Sequence, residues 1–578
     1  MNRLITDEGK TVDLSCPLPE HPSPQFRREG YACLNGRWDF YIDDKKTSSI
    51  PKFKQQIIVP FAVETYLSGI ETSVKPTDVM HYRRFFDLPD GFDPDHVVLH
   101  FEAVDQVCDV YLNGELLGHH EGGYHPFSFP CPKLKEKGNE LRVNVTDDTG
   151  SPYFPRGKQS TKPGGIWYHP TSGIYGSVWL EEVPEKHIED VTYETHYQTG
   201  ICKVFVKLTH PKTTCKIRVF FKEELVFEDK IGSDGVVEMN LSKHLHLWGF
   251  NEPNLYNVDL IYGDDLVHSY FGIREIGVIE HHGRLFPTIN GQRIFLTGPL
   301  DQGYYPESGL TPPTVKAMRS DLTAIKSCGF TMVRKHIKIE PRRYYYLCDR
   351  LGMLVMQDFV NIGAPYSPLL IVAAPFLHIK MDDSRPKTKK RLGIIDEKVE
   401  QAFINHVKET TELLKNHPCV VSWTLFNEGW GQFDTRKIEP MLDHSRLIDA
   451  NSGWYDQGVG NFDSHHVYFR KVRLKQSKDR ILSLSEFGGY SLKIEGHTYS
   501  NRSFGYKKMK SKEHLQQSLI KLYENEIIPL KKQGIAVAVY TQWTDVEEEI
   551  NGIMTYDRKV MKVDPAVLRS LNAKLREM

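Results

Sequence analysis

The chain has 578 residues, of which 40% are hydrophobic and 26% charged, and its formal net charge is -2. One hydrophobic core stops growing near roughly 250 to 300 residues, so this length predicts two or three domains. The balanced charge, without a block of one sign, argues against nucleic acid or a membrane surface as a partner. Since no apolar run approaches the roughly 20 residues that cross a bilayer and the N-terminus lacks a signal-peptide pattern, we expect a cytoplasmic protein.

Residues 1–183 are short β-rich runs, such as HVVLHFEAV and LRVNVTD, separated by Gly, Pro, Asn and Asp clusters. This pattern predicts an antiparallel β-sandwich. Asn113-Gly114 between CDVYL and ELLGHH predicts a hairpin, because a type I′ turn needs positive φ at both central residues. A second β stretch over 184–280, with KVFVKLTH, KIRVFFK and YNVDLIYG, has the spacing of an immunoglobulin-like sandwich and carries no candidate for chemistry.

Residues 281–578 alternate strands with helices, which favours parallel βα units. Eight candidate strands predict a (β/α)8 TIM barrel. They are RIFLTGP, TMVRKHI, LVMQDFV, VVSWTLFNE, GWYDQG, SHHVYF, ILSLSEFGG and AVAVYTQWTD. The protein is therefore predicted to be multidomain, with two sandwiches followed by a barrel.

Helix signals lie between several of these strands. Thr311 is the predicted N-cap of the first barrel helix, and Gly329 fits the left-handed position after its end. Further helices are predicted at 341–351, 398–415, 438–450, 512–532 and 565–577. The stretch 363–393 is predicted to be a long loop whose role the sequence leaves open.

Two acidic residues close barrel strands. Asn427-Glu428 ends VVSWTLFNE and Glu486 ends ILSLSE. The active site of a TIM barrel lies at the C-terminal ends of its strands, so both carboxylates are expected at one mouth. This is the arrangement used for glycoside hydrolysis, in which one carboxylic acid protonates the leaving oxygen while the other attacks the anomeric carbon. The two roles require different ionisation states, so their surroundings must separate the two pKa values.

Other polar or aromatic residues close neighbouring strands. Arg334 and His336 end the second strand, and His466 and Tyr468 end the sixth, which would place a cation and hydrogen-bond donors beside Glu486. We also count Asp301, after the first strand, among the supporting residues. Trp543 could form an aromatic floor for a sugar ring or could be a core residue of the barrel.

Two further features stay open. A metal site made of Asp463, His465, His466 and Asp545 can be drawn, but we expect no metal and no cofactor. The nine cysteines are odd in number and lack CxxC spacing, so they predict neither a zinc cluster nor a disulfide framework. The segments 155–159 and 165–168 of the first sandwich could reach the barrel mouth or form a structural hairpin.

The motif FNEGWG resembles the acid/base motif of glycoside hydrolase family 2, and SEFGG resembles its nucleophile motif. The resemblance extends along the chain, because VYLNG and GGIWYHPTSGIYGSVWLE are similar to the family's jelly-roll, sugar-binding-like sandwich. It implies that Glu428 is the general acid/base, that Asn427 holds the sugar 2-hydroxyl and that Glu486 is the nucleophile. Arg334 and Tyr468 would orient and stabilise the nucleophile. The oligomeric state is not readable, although relatives in the family often form homo-oligomers.

The sugar is harder to predict than the mechanism. β-Glucuronidases of the family resemble one another in an Asn-x-Lys element whose lysine pairs with the sugar carboxylate. Here the matching stretch is Glu549-Ile550-Asn551-Gly552, which lacks the lysine. Glu549 stands where the asparagine would be, and its carboxylate would repel a uronate. We therefore expect a β-galactosidase-like exo-enzyme. The alternatives are a β-glucuronidase, a β-mannosidase, an arabinopyranosidase, a transglycosylase or a non-catalytic carbohydrate-binding protein.

Overall fold

The structure is a computed structural model that describes residues 3–44, 53–210, 214–365, 383, 385–475 and 477–577. Most of the predicted loop 363–393 lies outside the described residues, since 366–382 and 384 are not among them. Within the described part of the chain, no helix combines the length and apolar character needed to cross a bilayer. All nine cysteines are free thiols, and seven of them are buried.

The first region is an antiparallel sandwich of a four-stranded and a six-stranded sheet, with a two-stranded sheet beside them. Its strands are β1 Tyr31–Cys33, β2 Gly36–Asp43, β3 Gln55–Val59, β4 Val79–Phe86, β5 Val97–Phe101, β6 Val104–Asp105, β7 Val107–Leu112, β8 Glu115–Glu121, β9 Phe127–Pro130, β10 Asn139–Thr146, β11 Gly173–Ile174 and β12 Val178–Glu182. Burial alternates strictly along β10, as expected for a strand with one face on the core. The hairpin between β7 and β8 is confirmed, with φ of +52° at Asn113 and +91° at Gly114.

The second region is a sandwich of a three-stranded and a four-stranded sheet around its own apolar core. Its strands are β13 Ile188–His196, β14 Ile201–Leu208, β15 Cys215–Phe221, β16 Glu224–Ile231, β17 Val236–Asn240, β18 Tyr256–Tyr262 and β19 Asp265–Phe271. A small sheet of β20 Ile276–Glu280, β21 Leu285–Ile289 and β22 Gln292–Arg293 then leads into the barrel. The domain boundaries after 183 and 280 stay predictions.

The third region is a nearly closed barrel of eight parallel strands. In chain order they are β23 Leu296–Asp301, β24 Met332–Lys335, β25 Leu354–Asp358, β26 Val420–Asn427, β27 Leu447–Ser452, β28 Phe462–Val467, β29 Ile481–Gly488 and, after the short pair β30 Tyr490–Ser491 and β31 Lys507–Lys508, β32 Ile535–Thr541. The sheet order is β27-β26-β25-β24-β23-β32-β29-β28. Its two ends, β27 and β28, are not hydrogen-bonded to each other as strands among the described residues. The predicted fold class is confirmed.

The described α-helices surround this barrel. They are α1 Val315–Ser327, α2 Arg342–Leu351, α3 Pro386–Arg391, α4 Glu397–Leu414, α5 Lys512–Leu522 and α6 Pro565–Arg576. Gly329 follows the end of α1 with φ of +79°, as predicted. The predicted cap Thr311 is wrong, because Thr314 accepts from the Ala317 N–H at 3.0 Å while Thr311 donates to the Tyr175 carbonyl. The last predicted helix before β32 ends early at Leu522, in a π turn and a 3-10 turn that contains Pro529.

The fifth barrel strand was predicted in the wrong place. GWYDQG forms no strand, and the strand is β27, which lies largely inside the predicted helix 438–450. That helix is replaced by a short 3-10 turn, Glu439–Met441. Every residue of β27 is buried, so the strand lacks the alternating pattern that identifies a half-buried strand. Pairing with β26, which only the tertiary fold supplies, decides the conformation.

Candidate active site

The C-terminal ends of β24, β26 and β29 bring three predicted residues together. Arg334 is completely buried, and its Nη1 donates to Glu486 Oε1 at 3.1 Å. Its Nη2 donates to Asn427 Oδ1 at 3.0 Å. Since Asn427 accepts through its oxygen, its amide N–H groups are directed elsewhere and can donate to a ligand.

His466 lies between the two candidate catalytic carboxylates. Its Nδ1 is 2.8 Å from Glu428 Oε1 and 3.6 Å from Glu486 Oε2, and its Nε2 is 3.0 Å from Ser452 Oγ. One oxygen of Glu428 and one of Glu486 lie within 4.8 Å of each other. The sequence expectation that both carboxylates share one mouth is therefore met by the geometry.

Glu428 is held in an uncommon backbone conformation. Its φ is +53°, and its N–H donates to the Ser452 carbonyl at 2.9 Å. Left-handed φ is uncommon for a side chain other than glycine and is found repeatedly at functional sites. Gly429, the next residue, also has positive φ, at +79°. The chain thus turns sharply where β26 ends, so the Glu428 carboxylate projects toward His466.

The surroundings of Glu486 favour its ionised form. Burial alone raises the pKa of Glu486, but the charges of His466, Arg334 and His336 and a hydrogen bond from Tyr468 outweigh burial and leave that pKa below its ordinary value. The Tyr468 hydroxyl donates a short hydrogen bond to Glu486 and lies 3.0 Å from Thr541 Oγ1. A buried carboxylate with these partners stays charged at neutral pH.

Asp358 contacts Arg334 and His336, and Tyr506 packs on Tyr468. The sequence analysis did not identify either residue. Asp358 accepts from Arg334 Nε and Nη2, both at 3.0 Å, and lies 2.9 Å from His336 Nδ1. It ends the apolar run LVMQD, so the rule that located Glu486 applied to it as well. The Tyr506 ring stacks on Tyr468 at 3.8 Å, but its segment carries no recognisable signal.

Two predicted supporting residues lie in other surroundings. Asp301 pairs with Lys335 at 2.7 Å, and Lys335 also pairs with Glu340, so Asp301 belongs to a buried ion cluster under the loop after β23. Trp543 is 0% exposed and packs in the apolar core of the barrel. In the structure, Trp543 therefore occupies the core position that was the other reading of this residue.

The loop of the first sandwich at 155–168 docks on the barrel mouth. Arg156 N–H donates to the Asn361 carbonyl at 3.1 Å, and the buried Tyr168 hydroxyl donates to Glu549. Burial raises the pKa of Glu549 and outweighs the opposing effect of nearby Lys158. Lys158 Nζ is 5.6 Å from the centroid of the Trp167 ring and has no hydrogen-bond acceptor among the described residues. The loop therefore brings a cation and an aromatic ring to the mouth.

The four residues of the possible metal site, Asp463, His465, His466 and Asp545, do not form one cluster among the described residues. Asp545 is bound by Lys562 at 2.5 Å, and His465 contacts Asp463 at 3.1 Å. Two clusters in the described part of the chain have metal-ligand spacing. One is Glu428, His466 and Glu486 themselves, and the other is Asp349, His417 and Cys419. Asp349 in the second cluster is already used, since it accepts from Tyr270 and the Cys419 N–H and contacts His417.

Comparison with known proteins gives a consistent family assignment. The model "Glycosyl hydrolases family 2, TIM barrel domain" matches residues 283–567, and "Glycosyl hydrolase 2 galactose-binding domain-like" matches 64–162. The beta-galactosidase large subunit of Latilactobacillus sakei is 24% identical over 66% of this chain and 59% of its own length. The beta-galactosidase of Thermoanaerobacter pseudethanolicus is 26% identical over 64% of this chain and 48% of its own length. The chain thus spans about half to three fifths of these relatives.

Among solved structures, a beta-glucuronidase from an uncultured Clostridium sp. superimposes with a TM-score of 0.73. It is 18% identical, and the match covers 96% of this chain and 99% of that one. At this identity the likeness shows a shared fold.

Proposed function

Because the chain belongs to glycosyl hydrolase family 2, we propose that it is a retaining exo-β-glycosidase with Glu486 as nucleophile and Glu428 as general acid/base. The observation that carries the proposal is the approach of one oxygen from each carboxylate within 4.8 Å. Retaining enzymes hold their two carboxyl groups about 5 to 5.5 Å apart, whereas inverting enzymes need roughly 6.5 to 9.5 Å to admit a water.

In the first step, the Glu486 carboxylate attacks the anomeric carbon while Glu428 gives its proton to the leaving oxygen. The glycosidic C–O bond breaks and a glycosyl ester of Glu486 forms. In the second step, Glu428 takes a proton from water, the water oxygen attacks the same carbon, and Glu486 leaves as a carboxylate. Arg334 and Tyr468 keep Glu486 charged for the first step. They stabilise its carboxylate again when the second step releases it.

The hydrogen bonds of the neighbouring residues indicate their supporting roles. Asn427 gives its oxygen to Arg334, so its N–H groups suit the sugar 2-hydroxyl. His466 contacts both carboxylates and fixes their mutual orientation. His336 is held through Nδ1 by Asp358, which fixes the ring beside Arg334.

For the sugar, we propose a neutral β-galactoside-like glycone. The buried Glu549 carboxylate lies close enough to Glu486 for the two charges to interact, so a uronate there would meet two acidic groups. A uronide is the second candidate, and the specific observation in its favour is the cation of Lys158 beside Glu549. A mannoside differs from a galactoside in hydroxyl orientation, and an arabinopyranoside lacks the hydroxymethyl group. A panel of substrates separates these sugars.

The test is hydrolysis of nitrophenyl β-D-galactoside, glucuronide, mannoside and glucoside and of the α-L-arabinopyranoside by the wild type, Glu486→Ala and the exposed control Glu495→Ala. We expect turnover of one sugar, retained in Glu495→Ala and lost in Glu486→Ala. A 2-fluoro sugar should label Glu486 in the wild type, and label on another residue would refute the assignment. Product analysis with a sugar acceptor separates hydrolysis from transglycosylation. Absence of turnover, together with binding of sugars, would favour a carbohydrate-binding protein.

A further inference from the structure

A cleft of about 840 Å³ opens between the N-terminal segment, the first sandwich and the barrel loops that follow β23, β30 and β32. Five tyrosines line it: Tyr66, Tyr304, Tyr305, Tyr499 and Tyr556. Tyr66 and Tyr499 are each 40% exposed, whereas the other three are almost fully buried. The Arg3 guanidinium lies over one face of the Tyr66 ring, 4.3 Å from its centroid, so the cleft combines an aromatic wall with two partly exposed rings.

Two consecutive residues, Tyr168 and His169, connect this cleft to the groups around Glu486. On the pocket side, Tyr168 donates to Glu549, which interacts with Glu486. On the cleft side, the next residue, His169, contacts Glu547 through Nδ1 at 2.8 Å, and both line the cleft. The residues that line the cleft do not include any that we assign to the reaction.

Polar groups in the cleft are placed for a ligand with several hydroxyls. The Oε1 atom of Glu64 is buried and has no partner among the described residues, although its Oε2 accepts from the Ser172 N–H at 3.0 Å. A buried acceptor without a donor is costly, and such atoms in native structures call for an explanation. Burial raises the pKa of Glu64 to about 7, so above that pH the free oxygen is an acceptor.

The other two carboxylates in the cleft each have a partner. Glu71 pairs with Arg3 at 2.5 Å, and Glu547 pairs with His169. Besides these paired carboxylates and Glu64, the cleft offers the partly exposed rings of Tyr66 and Tyr499 and hydrogen-bonding groups of both kinds. Apolar sugar faces stack on such rings while their hydroxyls bind to such polar groups. A purely apolar ligand would leave the Glu64 oxygen without a partner.

We propose that this cleft is a non-catalytic site that binds a neutral sugar, with Tyr66 and Tyr499 stacking on the ring and Glu64 accepting a hydroxyl. Its volume lies within the roughly 300 to 1,000 Å³ of small-molecule sites and accommodates a disaccharide. The proposal concerns binding alone and does not depend on which sugar is hydrolysed.

The probes are lactose and cellobiose, measured at pH 8 by saturation-transfer NMR on the Glu486→Ala protein, so that the probe is not consumed. Tyr499→Ala and Glu64→Gln are added singly to this protein. Glu64→Gln keeps the shape of the side chain. Because the Ser172 N–H needs an oxygen acceptor, the amide oxygen takes the place of Oε2 and the amide nitrogen takes the place of Oε1. The free acceptor is thereby replaced by a donor. Tyr153→Ala is the matched control, since Tyr153 is 39% exposed and lies outside the cleft.

We expect Tyr499→Ala and Glu64→Gln each to weaken binding of at least one disaccharide by about tenfold. Tyr153→Ala should leave binding unchanged, and Tyr499→Ala in the otherwise native protein should retain its turnover of nitrophenyl glycosides within about twofold. Equal binding by the Tyr499→Ala and Tyr153→Ala proteins would overturn the proposal, and so would loss of turnover in Tyr499→Ala. If no nitrophenyl sugar is hydrolysed while binding still depends on Tyr499, the proposed function is refuted and the proposal of a sugar-binding cleft is supported.

Discussion

Tyr468→Phe isolates the contribution of one hydrogen bond to the ionisation of Glu486. The change removes the hydroxyl that donates to Glu486 and keeps the ring stacked on Tyr506. A hydrogen bond to a charged group contributes roughly 1.5 to 3 kcal/mol, and one pKa unit corresponds to about 1.4 kcal/mol. Because the bond favours the carboxylate, its loss raises the pKa of Glu486. We therefore expect the acid limb of kcat/KM to move up by about one to two pH units.

The assay is the pH dependence of kcat/KM for the sugar found in the substrate panel, since this parameter reports ionisations of the free enzyme. In the wild type, the acid limb should lie below the ordinary value for a glutamate, in line with the lowered pKa of Glu486. Tyr523→Phe is a suitable control, because Tyr523 is a buried tyrosine that packs on Phe487, beside Glu486. An acid limb that stays in place or moves down in Tyr468→Phe would refute the reasoning, whatever the loss in rate.

Two further variants test the acid and the sugar contacts. Glu428→Ala should lower kcat/KM by about 100-fold or more for substrates with poor leaving groups and much less for nitrophenyl glycosides, and equal losses would contradict the role as general acid. Lys158→Met keeps the aliphatic length of the side chain but removes its charge. It should lower kcat/KM about tenfold for the preferred sugar, measured across the panel, and an unchanged value would remove Lys158 from sugar recognition.

The candidate catalytic residues could be read from the sequence because each lies in, or directly after, a strand with a strong local signal. Glu428 directly follows the buried strand β26 and Glu486 lies near the end of the buried strand β29, and the barrel fold brings the ends of such strands to one mouth. The same reading applied consistently would have identified Asp358. Arg334 was found in this way, but its contacts with Asp358 and Asn427 became visible only in three dimensions.

Elsewhere the local signal was weak or misleading. All residues of β27 are buried, so nothing in its sequence distinguishes a strand from a short helix, and only pairing with β26 decides. Trp543 was open to two readings because a buried tryptophan and a sugar-stacking tryptophan have the same sequence context. Asp301 satisfied the strand-end rule, yet the buried charge of Lys335 provides its partner.

In the proposed function, the chemistry and the choice of sugar depend on different parts of the molecule. The groups around Glu486 come from the ends of barrel strands, whose positions are fixed by the parallel sheet. The groups that would meet the sugar hydroxyls, Lys158 and Glu549, come from a loop of the first sandwich and a loop after β32. Loops accept substitution more readily than buried strands. We therefore expect the sugar to depend on how two loops from different regions meet, whereas the barrel motifs predict the reaction.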